Sequence, residues 1–211
     1  QDYEIHPVDG RMYVAIGTYI IILDAQSNPS AIDLFEIENS EDEDYIVDLE
    51  MDTQNNRMLV TTDQGFIHSI DLLDTSWNPD LPVEPSGGEW TNTHIASNGD
   101  LFAFSNSGVF KLNTAGTGWT LEQASSTTNW PAGTPWKTFE HNGVIYVSIL
   151  DGGVGRWDVS SMSALSPWST ANNLHSDFIS DFAVAGNQLL ISSYDAGIAR
   201  RDLSNNFWLA T

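Results

Sequence analysis

The segment that decides the fold runs Leu189-Leu-Ile-Ser-Ser-Tyr-Asp-Ala-Gly197 and continues as Ile198-Ala-Arg-Arg-Asp202. It is a short apolar stretch, a turn containing Asp and Gly, and a second stretch that ends in Asp. The pattern occurs four more times, and the copies begin at Met12, Met58, Leu101 and Ile145. Successive copies are separated by 46, 43, 44 and 44 residues, which indicates a repeat architecture.

Each copy has room for four strands. A stretch of alternating apolar and polar residues precedes the first residue of every copy, which we call its anchor. Dipeptides such as Asn98-Gly99 and Asn142-Gly143 mark hairpin turns between this stretch and the anchor. Four strands in every 40 to 45 residues are typical of a β-propeller blade. The sequence therefore predicts one all-β domain over residues 1–211, a propeller of five blades of four antiparallel strands. The repeat units are expected at about 1–43, 44–89, 90–134, 135–176 and 177–211; the alternative is a fragment of a larger propeller.

The charge balance excludes several partners. The chain has 29 Asp and Glu against 7 Lys and Arg, a net charge of −22. Nucleic-acid backbones and anionic membranes attract Lys and Arg, so neither is an expected partner. No apolar run reaches the roughly 18 residues of a membrane span, and the absence of Cys excludes thiol chemistry and disulfides. We expect a monomer if the ring closes.

The later units resemble a known family. The segment 174–202, and the ending Arg156-Trp157-Asp158 of the fourth unit, are similar to repeats of the two-component-regulator β-propeller family. The best match covers residues 135–211. The family's usual Trp in the second strand is replaced in every unit, and Arg201 stands where an aromatic residue is usual. The resemblance implies a sensing or binding propeller that is often extracytoplasmic, and we therefore expect an extracellular or cell-surface location.

Acidic residues recur at two places in the units. The turns between second and third strands should lie on the same side as the blade-to-blade connections, a side that we call the loop face. Acids and one amide are expected at the mouth of the channel that runs through the centre of a propeller, either in the turns of this face or on the first strands. They are Asp48, Asp63, Asn106, Asp151, Asp181 and Asp195. The first strands place Glu4, Asp48 and Asp181 at equivalent positions. Such oxygens suit Ca²⁺, although Asp and Asn in turns also bond to nearby backbone.

Five tryptophans are the candidate ligand-binding residues, and they are Trp77, Trp90, Trp130, Trp136 and Trp168. They occur in or beside blade-to-blade connections. Exposed Trp rings bind sugars and protein partners through their flat apolar surface. The alternative is that each ring fastens its own loop to the blade below.

Three functions remain open from the sequence. The first is a noncatalytic module that binds a carbohydrate or protein partner through the loop face, with no catalytic residue. The second is an enzyme of the glycoside hydrolase or lyase kind using Asp48, Asp151 and Asp181. The third is a structural segment of a larger surface protein.

Overall fold

In the part of the chain that the structure describes, twenty short strands form five sheets of four. The computed structural model describes residues 2–24, 29–33, 45–205 and 207–209. Each sheet is one blade, and its strands follow one another in chain order. Blade 1 contains β1 (Tyr3–Ile5), β2 (Met12–Ile16), β3 (Tyr19–Leu23) and β4 (Pro29–Asp33). Blade 2 contains β5 (Ile46–Asp52), β6 (Arg57–Thr62), β7 (Ile67–Asp71) and β8 (Trp77–Asn78).

The remaining three blades have the same organisation. Blade 3 contains β9 (Trp90–Ile95), β10 (Leu101–Ser105), β11 (Gly108–Leu112) and β12 (Trp119–Ala124). Blade 4 contains β13 (Pro135–His141), β14 (Val144–Ile149), β15 (Gly153–Asp158) and β16 (Ser163–Trp168). Blade 5 contains β17 (Ile179–Ala185), β18 (Gln188–Ser193), β19 (Gly197–Asp202) and β20 (Trp208–Leu209).

The fold is an all-β propeller of five blades, which confirms the fold class expected from the repeat. Within the described ranges, helical structure is limited to one 3₁₀ turn at Thr170–Asn172. No helix of these ranges is long and apolar enough to cross a membrane. Strand boundaries differ from expectation at three tryptophans, because Trp77 lies in β8, Trp90 begins β9 and Trp136 lies in β13 rather than in joining loops.

The chain divides into two compact units. Unit 1 comprises Gln1–Ile95, Leu101–Ala103 and Leu112–Thr120, and unit 2 comprises Ala96–Asp100, Phe104–Lys111 and Leu121–Thr211. An apolar core of unit 1 is buried between the strands of blades 1 and 2, and it includes Tyr13, Ile20, Leu49, Met58 and Ile70. The corresponding core of unit 2 joins blades 4 and 5, and it includes Tyr146, Trp168, Phe182, Leu189 and Ile191.

A β-bulge occurs at the same place in three first strands. The register against the second strand shifts between Ile46 and Asp48, between Pro135 and Lys137, and between Ile179 and Asp181. A bulge inserts one residue that has no partner opposite it and redirects the local side chain. The inserted residues are Val47, Trp136 and Ser180. Asp48 and Asp181 therefore hold equivalent positions, each directly after a bulge, as the sequence indicated.

Glu4 does not share that position. Glu4 pairs with Tyr13, the residue after the first anchor, and Glu50 pairs with Leu59, the residue after the second anchor. The position of Glu4 in blade 1 is therefore that of Glu50 in blade 2. The sequence-based alignment was wrong here, because Glu4 and Glu50 each lie eight residues before their anchors whereas Asp48 lies ten residues before Met58.

Carboxylates of the first strands fasten neighbouring blades together. Asp48 is buried, and it accepts hydrogen bonds from the Asn92 side chain at 2.6 Å and from the Thr93 backbone N–H at 2.8 Å. Glu50 accepts a hydrogen bond from the Ile95 N–H at 2.8 Å, also on β9. Asp2 accepts one from the Leu49 N–H at 3.0 Å. These bonds place an acceptor where an isolated first strand would expose an unpaired backbone donor.

Replacing Asp48 by Ala tests this fastening. The change leaves the Asn92 amide and the Thr93 N–H buried without an acceptor, so the free energy of unfolding should fall by about 3 kcal/mol. Asp181→Ala is the matched control, since Asp181 occupies the same place after a bulge but is exposed. The control should change the stability by no more than about 0.5 kcal/mol. Equal losses in urea denaturation of both variants would contradict the role of Asp48.

Candidate functional site

Most of the candidate tryptophans are buried. Trp90 and Trp130 are each 1% exposed and Trp168 is 5% exposed, while Trp77 is half-buried and packs against the core of unit 1. Burial removes Trp90, Trp130 and Trp168 from the exposed face on which the sequence placed them. In each case a ring in or beside a connection packs on the sheet, as the alternative interpretation held.

Trp90 and Trp119 fasten the connection between blades 2 and 3. Their ring centroids are 4.9 Å apart, and both indole N–H groups donate to the carbonyl oxygen of Pro82, at 3.3 Å and 2.7 Å. This carbonyl lies in the Pro-rich segment before β9. The two indoles therefore hold that segment against blade 3 with both apolar contact and hydrogen bonds.

Trp130 fastens the connection between blades 3 and 4. Its ring stacks on Phe104 at 6.4 Å between centroids, with 13° between the ring planes. On the other side it covers Gly155 of β15, where an added Cβ would lie 2.9 Å from the ring. Only a residue without a Cβ leaves room for the indole at this point. The fit between Gly155 and Trp130 fixes the loop that precedes Trp136.

Trp168 belongs to a cluster of arginines and aromatic rings in unit 2. The guanidinium carbon of Arg156 lies 4.4 Å from the centroid of the Trp168 ring, and that of Arg201 lies 4.3 Å from it. Arg201 also lies 4.6 Å from the centroid of Trp208, and Arg156 lies 6.0 Å from that of Tyr146. We call these five residues the arginine–tryptophan cluster. Cation–π contacts of this kind join β14, β15 and β16 of blade 4 to β19 and β20 of blade 5.

Trp136 is the exposed member of the candidate set. It is the bulged residue of β13, and 45% of its surface is exposed. The bulge turns the ring away from the sheet at the end of the strand that adjoins the loop face. Leu150, in the turn between β14 and β15, is exposed on the same side of blade 4.

Blade 5 adds exposed apolar groups to this side. Phe178 directly precedes β17, and Tyr194 lies in the turn between β18 and β19 with 67% of its surface exposed. The Tyr194 N–H donates to the Phe178 carbonyl at 3.0 Å, so the two residues are adjacent. We call Trp136, Leu150, Phe178 and Tyr194 the exposed apolar set. The sequence analysis missed the last three because it searched the connections for Trp alone.

Hydrogen bonds hold the loops under this set. The Gly153 N–H, at the end of the turn that carries Leu150, donates to the Asp177 carbonyl at 3.1 Å. The Asp177 carboxylate accepts from the Thr170 N–H and hydroxyl, both at 2.7 Å. Gly153 has φ +80, and a Cβ there would lie 2.3 Å from the Trp168 carbonyl oxygen. These contacts fix the connection between blades 4 and 5 relative to the turn of blade 4.

The four turn residues that were predicted at the channel mouth have different surroundings. The carboxylate of Asp63 accepts a hydrogen bond from the Tyr45 N–H, which directly precedes β5, at 2.9 Å. Asn106, Asp151 and Asp195 are exposed in turns, and Asp151 adopts a left-handed backbone with φ 61. Across residues 2–24, 29–33, 45–205 and 207–209, no group of three His, Asp or Glu side chains is placed to hold a metal ion. Calcium binding stays a prediction without such a group behind it.

Glu50 lies in a strongly perturbed electrostatic environment on the first strand of blade 2. Burial raises its pKa well above the usual value, and the nearby charges of Asp48, Glu4 and Asp2 raise it further. The Ile95 N–H acts in the opposite direction, and His94 Nδ1 lies 3.7 Å from its Oε1. Neither Glu50 nor Asp2 was singled out from the sequence. The available signal was the spacing to the anchor, because of Asp48 and Glu50 only Glu50 lies as far before Met58 as Glu4 lies before Met12.

The comparisons with known proteins show the fold. The extracellular domain of BT3049 from B. thetaiotaomicron, a protein described as a hybrid two-component system, matches 99% of this chain and 34% of its own length, with TM-score 0.64 and 14% identity. BamB from Moraxella catarrhalis matches 99% of this chain and 62% of its own length, with TM-score 0.60 and 14% identity. The computationally designed protein Ika4 matches 78% of this chain and 94% of its own, with TM-score 0.57 and 14% identity.

These similarities establish structural class rather than activity. At 14% identity, the three structures share the propeller architecture with this chain and nothing finer follows from them. The chain spans about a third of the BT3049 domain and under two thirds of BamB. No protein-family model matches the sequence, and the search of curated proteins gives no significant match.

Glu50→Gln tests the electrostatic origin of the pKa shift. A carboxyl whose pKa is raised on folding stabilises the protein below its unfolded pKa, and this contribution is lost as the pH rises through the folded pKa. Gln keeps an oxygen for the Ile95 N–H and removes the repulsion, so the variant should be more stable than the wild type at neutral pH. The difference should shrink as the pH falls toward the ordinary Glu range, in urea denaturation across a pH series. Glu122→Gln, on the outer strand β12, is the control, and a variant that is less stable at every pH would refute the interpretation.

Gly155→Ala tests the seat of Trp130. The added methyl group overlaps the indole, so the free energy of unfolding should fall by about 1 to 3 kcal/mol. The indole N–H resonance of Trp130 should shift in the NMR spectrum. Gly118→Ala is the control, because an added Cβ there has its nearest neighbour at 3.4 Å. If both variants leave stability and the Trp130 resonance unchanged, the close fit is not a constraint.

Proposed function

We propose that the chain is a noncatalytic binding module, displayed outside the cytoplasm, that recognises a protein or carbohydrate partner through the loop face of blades 4 and 5. The observation that carries the proposal is the exposed apolar set, which groups two aromatic rings from blade 5 with Trp136 and Leu150 from blade 4. Aromatic side chains with a polar edge are enriched at protein interfaces and also stack on sugar rings. Asp151 and Asp195 provide exposed hydrogen-bond acceptors in the same turns.

The support beneath this surface favours binding. Trp130 is seated on Gly155, and Asp177 holds both Thr170 and the turn at Gly153. Loops that are fixed before a partner arrives lose little conformational entropy on association. Rigid blades with variable loops are a common arrangement for recognition sites. The exposed rings therefore stand on a backbone that is already ordered.

The enzymatic alternative has weaker support. Asp48 accepts hydrogen bonds from Asn92 and from both the N–H and the hydroxyl of Thr93, which occupies its oxygens with structural partners. Asp181 bonds to the backbone N–H of Phe182 at 2.8 Å, and Asp151 is an exposed turn residue. Glycoside cleavage needs two carboxyl groups about 5 to 10 Å apart facing one sugar. The contacts of Asp48 favour a role in holding blades 2 and 3 together.

The extracytoplasmic location and the family likeness are parts of the same proposal. The resemblance of residues 135–211 to the two-component-regulator repeat is supported by the fold shared with the extracellular domain of BT3049. The third interpretation, a structural segment of a larger surface protein, predicts that the exposed apolar set binds nothing by itself.

The test is binding by variants of the exposed apolar set. The double variant Trp136→Ala/Tyr194→Ala should lose binding on a glycan array, or in pull-downs from envelope and secreted fractions, by at least about tenfold, because each ring removed costs on the order of 1 to 2 kcal/mol of interface energy. Phe207→Ala is the matched control. Phe207 is an exposed aromatic residue of blade 5 in the β19–β20 connection. This connection lies at the ends of the strands that are opposite to the loop face.

The outcomes separate the candidates. Loss in the double variant with full binding by the control supports the loop face, and the array or the pull-down tells whether the partner is a carbohydrate or a protein. Equal binding by both variants excludes the loop face of blades 4 and 5. Hydrolysis of any glycan on the array, abolished by Asp151→Asn with Asp181→Asn, would favour the enzymatic alternative.

A further inference from the structure

The second strand of each blade shows which faces of its sheet are covered. From the anchor onward, every residue of β6, β10 and β14 is buried, so both faces of these strands are covered. Burial alternates in β2, where Tyr13 is buried and Ile16 is exposed. It also alternates in β18, where Ile191 is buried and Leu190 is half-buried. Blades 1 and 5 therefore each have one covered face and one face that is accessible to solvent.

The two apolar cores show how one blade meets the next. In unit 1, Tyr13 of blade 1 shares a core with Met58 and Val60 of blade 2. In unit 2, Tyr146 of blade 4 shares a core with Leu189 and Ile191 of blade 5. In both cores the side of the sheet that carries the anchor meets the preceding blade, and we call it the anchor face. The other side meets the following blade, and we call it the receiving face. The accessible face is thus the anchor face in blade 1 and the receiving face in blade 5.

The anchor face of blade 1 consists of apolar side chains. Residues that pair across an antiparallel ladder lie on the same side of the sheet, and the pairing of β1, β2 and β3 places eight residues on this face. They are Tyr3, Ile5, Met12, Val14, Ile16, Tyr19, Ile21 and Leu23. Four of them are 42% to 62% exposed and four are half-buried. A contiguous apolar patch of this kind marks an interaction site in a soluble protein. In a chain of net charge −22, these uncharged positions let a second copy approach without repulsion between like charges.

The receiving face of blade 5 repeats a face that already holds an anchor face. Four positions of the receiving face of blade 4 recur 44 residues later in blade 5, with the same pairing between second and third strands. They are Tyr146, Ser148, Val154 and Arg156 in blade 4, and Leu190, Ser192, Ile198 and Arg200 in blade 5. In blade 4, Tyr146 and Val154 belong to the core that buries Leu189 and Ile191. In blade 5 the equivalent Ile198 is 54% exposed, so the chain presents a second surface of this kind that is accessible.

We propose that the anchor face of blade 1 binds the receiving face of blade 5 of a second copy of this chain. The two copies then meet as blades 4 and 5 meet within one chain, with Met12 and Val14 in the positions of Leu189 and Ile191. The contact joins two different surfaces, so it is heterologous, and such contacts produce closed rings or filaments of copies. It uses none of the exposed apolar set and does not depend on the function proposed for the loop face.

The experiment is sedimentation velocity of the full chain over a wide range of protein concentrations. The weight-average mass should rise with concentration above the 23.2 kDa of one chain. Ile16→Glu and Ile198→Glu each place a charge on one of the two faces, so either change should raise the dissociation constant of self-association at least about tenfold. Leu121→Glu is the matched control, because Leu121 is exposed to a similar extent on the outer strand β12. The control should associate as the wild type does.

An equimolar mixture of the two variants decides which faces meet. The Ile198→Glu copy keeps the anchor face of blade 1 intact and the Ile16→Glu copy keeps the receiving face of blade 5, so the mixture should form a heterodimer at a concentration where each variant alone is monomeric. Loss of association in Ile16→Glu but not in Ile198→Glu would show that two anchor faces bind each other, which overturns the proposal. A wild type with the mass of one chain at every concentration, association unaffected by either change, or a mixture that stays monomeric would overturn it as well. If a charged variant does not fold, Ile16→Ser and Ile198→Ser provide the same comparison.

Discussion

The packing of blades 2 and 3 depends on the hydrogen bonds of the buried Asp48 carboxyl group. A carboxylate removed from water is costly unless hydrogen bonds replace its hydration. Asp48 obtains them from the Asn92 amide and from the backbone and hydroxyl of Thr93, and in return fixes the position of β9 against β5. Asp2 and Glu50 repeat the arrangement with backbone donors of Leu49 and Ile95. Three acids of this chain therefore have a structural use, since backbone N–H groups of a neighbouring strand donate hydrogen bonds to their carboxyl groups.

The few basic residues could then be placed elsewhere, and unit 2 shows where. Arg156 and Arg201 lie against Trp168 at the junction of blades 4 and 5. The corresponding core of unit 1 is apolar, and there the guanidinium carbon of Arg11 lies 5.7 Å from the centroid of the Tyr13 ring. Aromatic faces attract a cation electrostatically and also bury its aliphatic stem, so such residues pack an interface between sheets. One blade junction is thus held mainly by carboxylates and backbone N–H groups, and another by guanidinium groups and rings.

The sequence predicted the blades well and the site less well, for identifiable reasons. The spacing of the anchors from Met12 to Leu189 follows directly from four strands per blade, so five sheets could be expected without coordinates. The bulges carry no such mark, because Val47, Trp136 and Ser180 share no residue type. Asp48 and Glu50 are two residues apart on the same side of β5, so strand alternation did not distinguish them and Glu4 was equated with Asp48 instead of Glu50. Trp is equally suited to a buried and an exposed position, and the contacts with Gly155 and Phe104 show that Trp130 is packed.

The three bulges explain how one scaffold can present different surfaces. The backbone makes the same irregularity in blades 2, 4 and 5, and the side chain at that point is half-buried for Val47 and Ser180 but exposed for Trp136. Because the residue at a bulge is free of the alternation that the rest of the strand obeys, its identity can change without altering the core. A large ring at this position changes the surface while the hydrogen-bonded register on both sides stays the same. Recognition at Trp136 is therefore compatible with the strict repeat that folds the protein, because the repeat does not specify that residue.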